Sequence, residues 1–229
     1  MMLQSIDKKK KIFFYSLLLI FLSTTNNKFF TNYKYDLLRI KELNIEGLDA
    51  GEKIILDEKL NYLINQNIFF INKSLIEKKI NSLNFIENTE VKKIYPSKLL
   101  ILITKAQILA KTFKENTEYF IGSNGKFIPK KKNYGNENLP LIFGDFKTFD
   151  FLNLNKFFIQ EGFKPNQFEK FFYHKNKRWD VKINENLLVK LPRKGTLEAI
   201  KKLKIILESM ENSKYKIVDL RVPNQIILN

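Results

Sequence analysis

The stretch Phe85–Lys105, FIENTEVKKIYPSKLLILITK, decides the fold. Two runs of strand-forming residues, about Thr89–Tyr95 and Leu99–Thr104, flank a Tyr-Pro-Ser-Lys turn. Val, Ile and Thr suit a pleated, half-buried surface. Pro96 cannot donate to a sheet ladder, so it belongs in the turn between two strands.

Upstream, Ile76, Ile80 and Leu83 recur at helical spacing and make one apolar face. Ser74 with Glu77 three residues on could form a capping box, and Asn72 is an equally good cap. The short apolar segment NIFFIN connects this helix to an earlier one, marked by Ile55, Leu60, Leu63 and Ile64. Before that, RIKELNIEG alternates at Ile40, Leu43 and Ile45 and ends at Gly47, a strand and its turn. The predicted order is β-α-α-β-β over residues 37–105.

Further upstream lie four lysines, Lys8–Lys11, and then the uncharged run IFFYSLLLIFL, Ile12–Leu22. As a helix this run spans only about 16 Å, roughly half of a hydrocarbon core. Counting on to Phe30 reaches about 28 Å. The expectation is a cytoplasmic tail over 1–11 and a transmembrane anchor over 12–30. Lys28 would snorkel, and Phe29, Phe30, Tyr33 and Tyr35 would suit the far interface. The rival is a cleaved signal peptide, for which Ser23 and Thr25 are a poor Ala-x-Ala-like site. Lysines before the span place the N-terminus inside and the remainder outside, and no second run is long enough for another crossing.

Downstream, residues 106–229 read as a strand-rich α+β domain. YFIGSNGKFI is a hairpin with Asn124–Gly125 as a type I′ candidate. NLPLIFG is extended, and Asp150–Glu161 could be a helix stopped by Gly162. Trp179, Val181 and Ile183 alternate, as do Leu187, Val189 and Leu191, around a turn at Glu185–Asn186. Thr196 caps a helix with the face Leu197, Ile200, Leu203, Leu207 and Met210. KYKIVDLRV is a strand, Pro223–Asn224 turns, and QIIL is a last short strand.

The composition excludes several kinds of chemistry. Among 229 residues there is no Cys, so no disulfide, thiolate or Cys-based zinc site. The only His, His174, lies in a basic loop with no acid nearby on its far side until Asp180, and reads as a surface residue. No Asp/Glu cluster has calcium-loop spacing. Gly122-Ser-Asn-Gly125 lacks the Gly-Lys-Ser/Thr of a phosphate loop. The reading is of a non-enzymatic chain with no cofactor and no metal. Net charge is +16. That motivates an alternative, an envelope-anchored domain binding nucleic acid or an anionic polymer. The competing explanation is a lysine-rich solvated surface with no such partner.

What remains is a sheet edge, which recruits other chains by strand addition. The C-terminal strands are the best candidate. Alternation puts Val218, Leu220 and Val222 toward a core, and Ile217, Asp219 and Arg221 on the other face. Asp219 and Arg221 should then reach solvent or a partner, unless they pair with each other. Ile227 is expected to supply a ladder donor to the added strand.

Several segments together resemble the FtsQ/DivIB family of bacterial cell-division proteins. RIKELNIEG resembles the opening strand of that family's POTRA domain, and NIFFINKSLIEKKINSLNFIENTEVKKIYPSKLLILI resembles the following helix and strands with Pro-x-x-Leu-x-Ile. NGKFI with LPLIFG, RWDVKINENLLVKLP, and KYKIVDLRVPNQIIL resemble the later hairpin, the Trp-containing strand and the closing Asp-Leu-Arg strand. There are departures. KAQILA keeps only Ala110 of the family's Glu/Arg-x-x-Pro-x-Ala, Gly122 stands where Asp is usual, and Glu185-Asn-Leu-Leu lacks the usual Gly. The resemblance implies a single-pass inner-membrane scaffold of the division septum, with its bulk in the periplasm. It would bind the FtsB–FtsL pair, with FtsK a further candidate contact. The residues it implies for docking are Arg221, Val222, Asn224, Gln225, Ile226 and Ile227. An outer-membrane assembly protein of the POTRA class would need repeated POTRA units or a barrel, and the chain has room for neither.

Overall fold

The computed structural model describes residues 8–24, 37–130, 138–184, 187–209, 215–223 and 225–229. The chain divides into two compact units, Met1–Ile80 with Thr89–Thr104, and Asn81–Asn88 with Lys105–Asn229.

Helix α1, Lys8–Thr24, holds the apolar run. It has 17 residues, four of them lysines at its start. The 13 that remain rise about 20 Å, against a hydrocarbon core of about 30 Å. Among the described residues no helix is long and apolar enough to cross a membrane. The expected span over 12–30 is corrected to that extent, and its second half lies outside the described residues.

The first unit is built on β1 (Glu42–Glu46), α2 (Ala50–Leu60), α3 (Lys73–Asn81), β2 (Ile86–Ile94) and β3 (Lys98–Lys105), the expected β-α-α-β-β order, with only the last residue of α3, the first three of β2 and the last of β3 falling in the second unit. The three strands form one sheet in the order β1-β3-β2. β1 runs parallel to β3, with Leu43 opposite Leu99 and Ile45 opposite Ile101. A parallel pair needs a long crossover, which the two helices supply. Gly47 ends β1 with φ +93°, and a Cβ there would lie 1.9 Å from the Ile103 carbonyl oxygen.

The phase of α2 differs from expectation. Leu56, Leu60 and Leu63 are buried, while Ile55 is 52% exposed. Steps of four and three keep one face, whereas Ile55 is five positions before Leu60, well around the helix. At α3 the cap is Asn72, whose Oδ1 accepts from the Leu75 N–H at 3.2 Å. Glu77 takes no part in a capping box; its Oε1 accepts from the Val91 N–H at 2.9 Å. NIFFIN contains a 3₁₀ turn, Ile68–Phe70, that buries Ile68 and leaves Phe69 and Phe70 exposed.

The second unit contains β4 (Ile108–Lys114), β5 (Thr117–Gly122), β6 (Phe127–Pro129), β7 (Leu141–Phe143), α4 (Thr148–Gln160), β8 (Phe168–Tyr173), β9 (Trp179–Ile183), β10 (Leu187–Lys190), α5 (Thr196–Ser209), β11 (Ile217–Asp219) and β12 (Ile227–Leu228). Nine strands make one sheet in the order β12-β11-β10-β9-β8-β7-β4-β5-β6. Two crossovers are parallel, β7-α4-β8 and β10-α5-β11. The core lies between these helices and the sheet. Phe151, Leu154 and Phe158 of α4 and Ile200, Leu203 and Ile206 of α5 pack with Phe171, Val181, Val189 and Val218. Phenylalanine dominates it, with Phe158 and Phe168 centroids 4.6 Å apart.

Three local expectations change. The β5–β6 turn is not type I′, because Gly125 has φ +71° but Asn124 is not at positive φ. The Asn124 side chain is engaged instead: Nδ2 donates to the Asn84 and Ile86 carbonyls at 2.9 Å each, and Oδ1 accepts from the Lys126 N–H at 3.0 Å. Lys126 Nζ donates to the Asn81 carbonyl. The turn thus fastens 81–88 within this unit. Thr196 is the first helical residue of α5 rather than its cap, and its hydroxyl donates to the Pro192 carbonyl at 3.1 Å. His174 is not a free surface group, since its Nε2 lies 2.8 Å from Asp180 Oδ2. The Glu185–Asn186 turn and Met210 lie outside the described residues.

Candidate functional site

β12 is the last strand at one edge of the nine-stranded sheet. It runs antiparallel to β11, with Val218 opposite Leu228 and Asp219 opposite Ile227. Asn229 exchanges both backbone bonds with Ile217, donating at 3.1 Å and accepting at 2.9 Å. Backbone groups of an antiparallel strand alternate in direction. Asn229 and Ile227 therefore face β11, and Leu228 and Ile226 turn their N–H and C=O groups to the open edge. The expectation for Ile227 is corrected by one residue: its N–H serves the internal ladder.

Charges converge beside this edge. On the sheet face opposite the helices, Phe172, Asp180, Lys190, Asp219 and Ile227 follow one another across β8 to β12. Asp180 and Asp219 are each only 7% exposed. Asp219 was expected to reach solvent and does not. A buried carboxylate needs partners, and each has them. Asp180 accepts from Arg178 Nη1 at 2.6 Å and lies against His174. Asp219 accepts from the Arg221 backbone N–H at 3.1 Å, from Nε at 2.9 Å and from Nη2 at 2.5 Å. The Arg221 side-chain hydrogen bond holds the Asp219 carboxyl below its ordinary pKa, with Lys190 adding to the effect.

Arg221 thus pairs with Asp219, the alternative weighed from the sequence. The pair leaves the Arg221 side chain 44% exposed, and Nη1 has no acceptor among the described residues. Val222 is 45% exposed and does not join the core, because β11 ends at Asp219 and the chain turns at Pro223. Gln225, Ile226 and Ile227 are exposed. The structure therefore brings Arg221, Val222, Ile226 and Ile227 to one end of the sheet; Asn224 lies outside the described residues. Sequence reading missed Asp180 and Lys190, because only strand register places them beside Asp219 on one face, while Asp180's own partners, Arg178 and His174, lie in the same hairpin. Among the described residues no group of three or more His, Asp or Glu side chains is placed to hold a metal ion.

A β-α-α-β-β unit followed by a strand-rich α+β domain with an open final edge defines a POTRA-bearing protein of two domains. Two family models match it: the FtsQ-type POTRA domain over residues 38–105, and the C-terminal domain of cell division protein FtsQ/DivIB over residues 112–221. The chain belongs to the FtsQ/DivIB family of cell-division proteins. No curated protein matches it.

Proposed function

We propose that the chain is a non-enzymatic scaffold of the division septum that captures the FtsB–FtsL pair on the β11–β12 edge. The observation that carries this reading is the open edge itself. Ile226 and Leu228 turn unpaired backbone groups outward, beside the exposed side chains of Arg221, Val222 and Ile227. A partner strand would pair with that edge, as in other strand-addition complexes. Asp219 fixes the Arg221 guanidinium on one side and leaves Nη1 to meet a partner carboxylate. Gln225, exposed beside the edge strand, completes the described set, and Asn224 belongs to it by the family resemblance alone. FtsK is a further candidate contact. The N-terminal segment would anchor the protein in the inner membrane by a single span, with residues 1–11 cytoplasmic and domains 37–105 and 106–229 periplasmic.

The test is affinity for purified FtsB–FtsL, with the full chain held in neutral detergent. Arg221→Glu should weaken binding by about 2–5 kcal/mol if the arginine meets a desolvated carboxylate. Ile226→Pro removes an outward donor without touching the β11–β12 ladder and should also weaken capture. Wild-type affinity in both variants, with circular dichroism unchanged, would place the docking surface elsewhere.

A further inference from the structure

Both parallel crossovers of the second unit start their helices at the same end of the sheet. β7 leads into α4 and β10 into α5, and the antiparallel pair β8–β9 turns over at that end through residues 174–178. In open sheets with βαβ crossovers, ligands sit outside the carboxyl ends of such strands, where loops separate and helix amino ends point inward. Here that place is a cavity of about 1040 Å³.

The cavity wall is basic. Lys147, Lys175, Lys177 and Arg193 line it, one from each connection or two from the β8–β9 turn. None of the four forms an ion pair among the described residues. That contrasts with Arg178, in the same turn, which is committed to Asp180. The cavity's acids are Asp145 and Asp150, and Asp150 is occupied in accepting the Tyr173 hydroxyl at 3.2 Å. The amino end of α4 opens here with no side-chain cap at Lys147, and the first turn of α5 lines the cavity through Thr196. Uncapped amides and the helix dipole add partial positive charge to that of the four cations. Phe157, Tyr173 and Trp179 supply an aromatic floor.

We propose that this cavity binds a phosphoryl-bearing small molecule or headgroup, with its anionic oxygens on Lys147, Lys175, Lys177 and Arg193 and its body against Phe157 and Trp179. A phosphate monoester offers three strong acceptor oxygens and close to two negative charges, and a phosphodiester headgroup two such oxygens and one charge, which answer several cations and the uncapped amino end of α4. A lone carboxylate would leave most of these donors unused. The site is separate from the β11–β12 edge and stands whether or not that edge captures FtsB–FtsL.

Trp179 is the chain's only tryptophan and lines the cavity from the core, so its emission reports on one place, where cavity and core meet. The full chain in neutral detergent is titrated with inorganic pyrophosphate, with glucose 1-phosphate, and with phosphatidylglycerol or phosphatidylcholine vesicles. Equilibrium dialysis of the two soluble probes and vesicle co-sedimentation give readouts independent of fluorescence. Saturable binding of a soluble probe assigns a small-molecule ligand. Binding confined to phosphatidylglycerol vesicles and lost in the variants below assigns a lipid headgroup. Lys147→Glu and Arg193→Glu, both at exposed positions, should each weaken the bound probe about tenfold or more. Lys156→Glu, exposed on α4 but outside the cavity, should stay within about twofold if the effect is local rather than a matter of net charge. No saturable binding of any probe by either readout overturns the proposal, and so does an equal loss in Lys156→Glu.

Discussion

Asp219 shows how one residue can hold a site in place. Its carboxylate is nearly buried on a β-strand, where an unpaired charge would be costly, and the neighbouring Arg221 closes on it through the side chain and the backbone N–H. Because the folded pKa is lowered, chiefly by that hydrogen bond, the stabilisation is complete above the unfolded carboxylate value of about 3.9. It is lost as pH falls through the lower folded value. Asp219→Asn should therefore lower the urea midpoint by a steady amount from pH 7 to about pH 4, with the gap to wild type closing below that. A gap that widens on acidification would show that the pair does not set the carboxyl's pKa. Gly47 makes a different kind of single-residue demand. Its positive φ and its closeness to the Ile103 carbonyl leave no room for a methyl group. Gly47→Ala should destabilise the first unit by about 1–3 kcal/mol from backbone strain alone, with the steric contact adding to it. Unchanged thermal unfolding would mean that β1 is not followed by this turn.

At the scale of elements, burial faces follow from spacing wherever a helix or strand is long enough to fix its phase. Ile76 and Ile80 sit on the inner face of α3, as their spacing indicates, and Ile80 is almost wholly buried. Ile80→Ala should cost about 2–5 kcal/mol through lost transfer energy and a cavity, while Lys78→Ala on the outer face should change little. Helix α2 was harder to read, since Ile54, Ile55 and Leu56 are consecutive aliphatics and only packing selects among them. Leu56→Ala should destabilise by about 2–5 kcal/mol and Ile55→Ala by far less. Equal losses in urea unfolding would reverse the observed phase. The strands Trp179–Ile183 and Leu187–Lys190 were legible from alternation, and so was the existence of the closing strands, but not their faces, since Asp219 is buried and Val222 exposed. Three things were not. Asp180, Lys190 and Asp219 meet only because three strands pair in one register, and no spacing along the chain encodes that. The Ser123–Lys126 turn departs from type I′ because Asn124 and Lys126 bond to residues some 40 positions earlier. Which backbone groups face the open edge was likewise set by register, one residue away from the expectation at Ile227.

The whole molecule joins a basic, apolar N-terminal helix to two folded units that carry the family's matched domains. Its net charge of +16 is spread along the chain, yet the charges differ in kind. Lys8–Lys11 precede the apolar run, where cations are retained on the cytoplasmic side of a membrane. The cavity cations of the second unit instead surround a concave site, and Arg178 and Arg221 serve structural carboxylates. If the N-terminal segment anchors the chain as proposed, the lysines fix its orientation, and every folded residue from 37 onward lies on the far side. On the proposed anchor the described helix supplies only part of a span, since the 13 helical residues after the lysines cover about 20 Å of a core of about 30 Å. Alkaline phosphatase, active only in the periplasm, should be active when fused after Asn229 and inactive when fused after Lys11. Lys8–Lys11 replaced together by glutamine should reduce the bias and yield a mixed population, since the orientation rests on those cations. The reverse reporter pattern would overturn the proposed orientation, whereas a mature N-terminus near Asn26 would replace the anchor with a cleaved leader and free both units from the membrane.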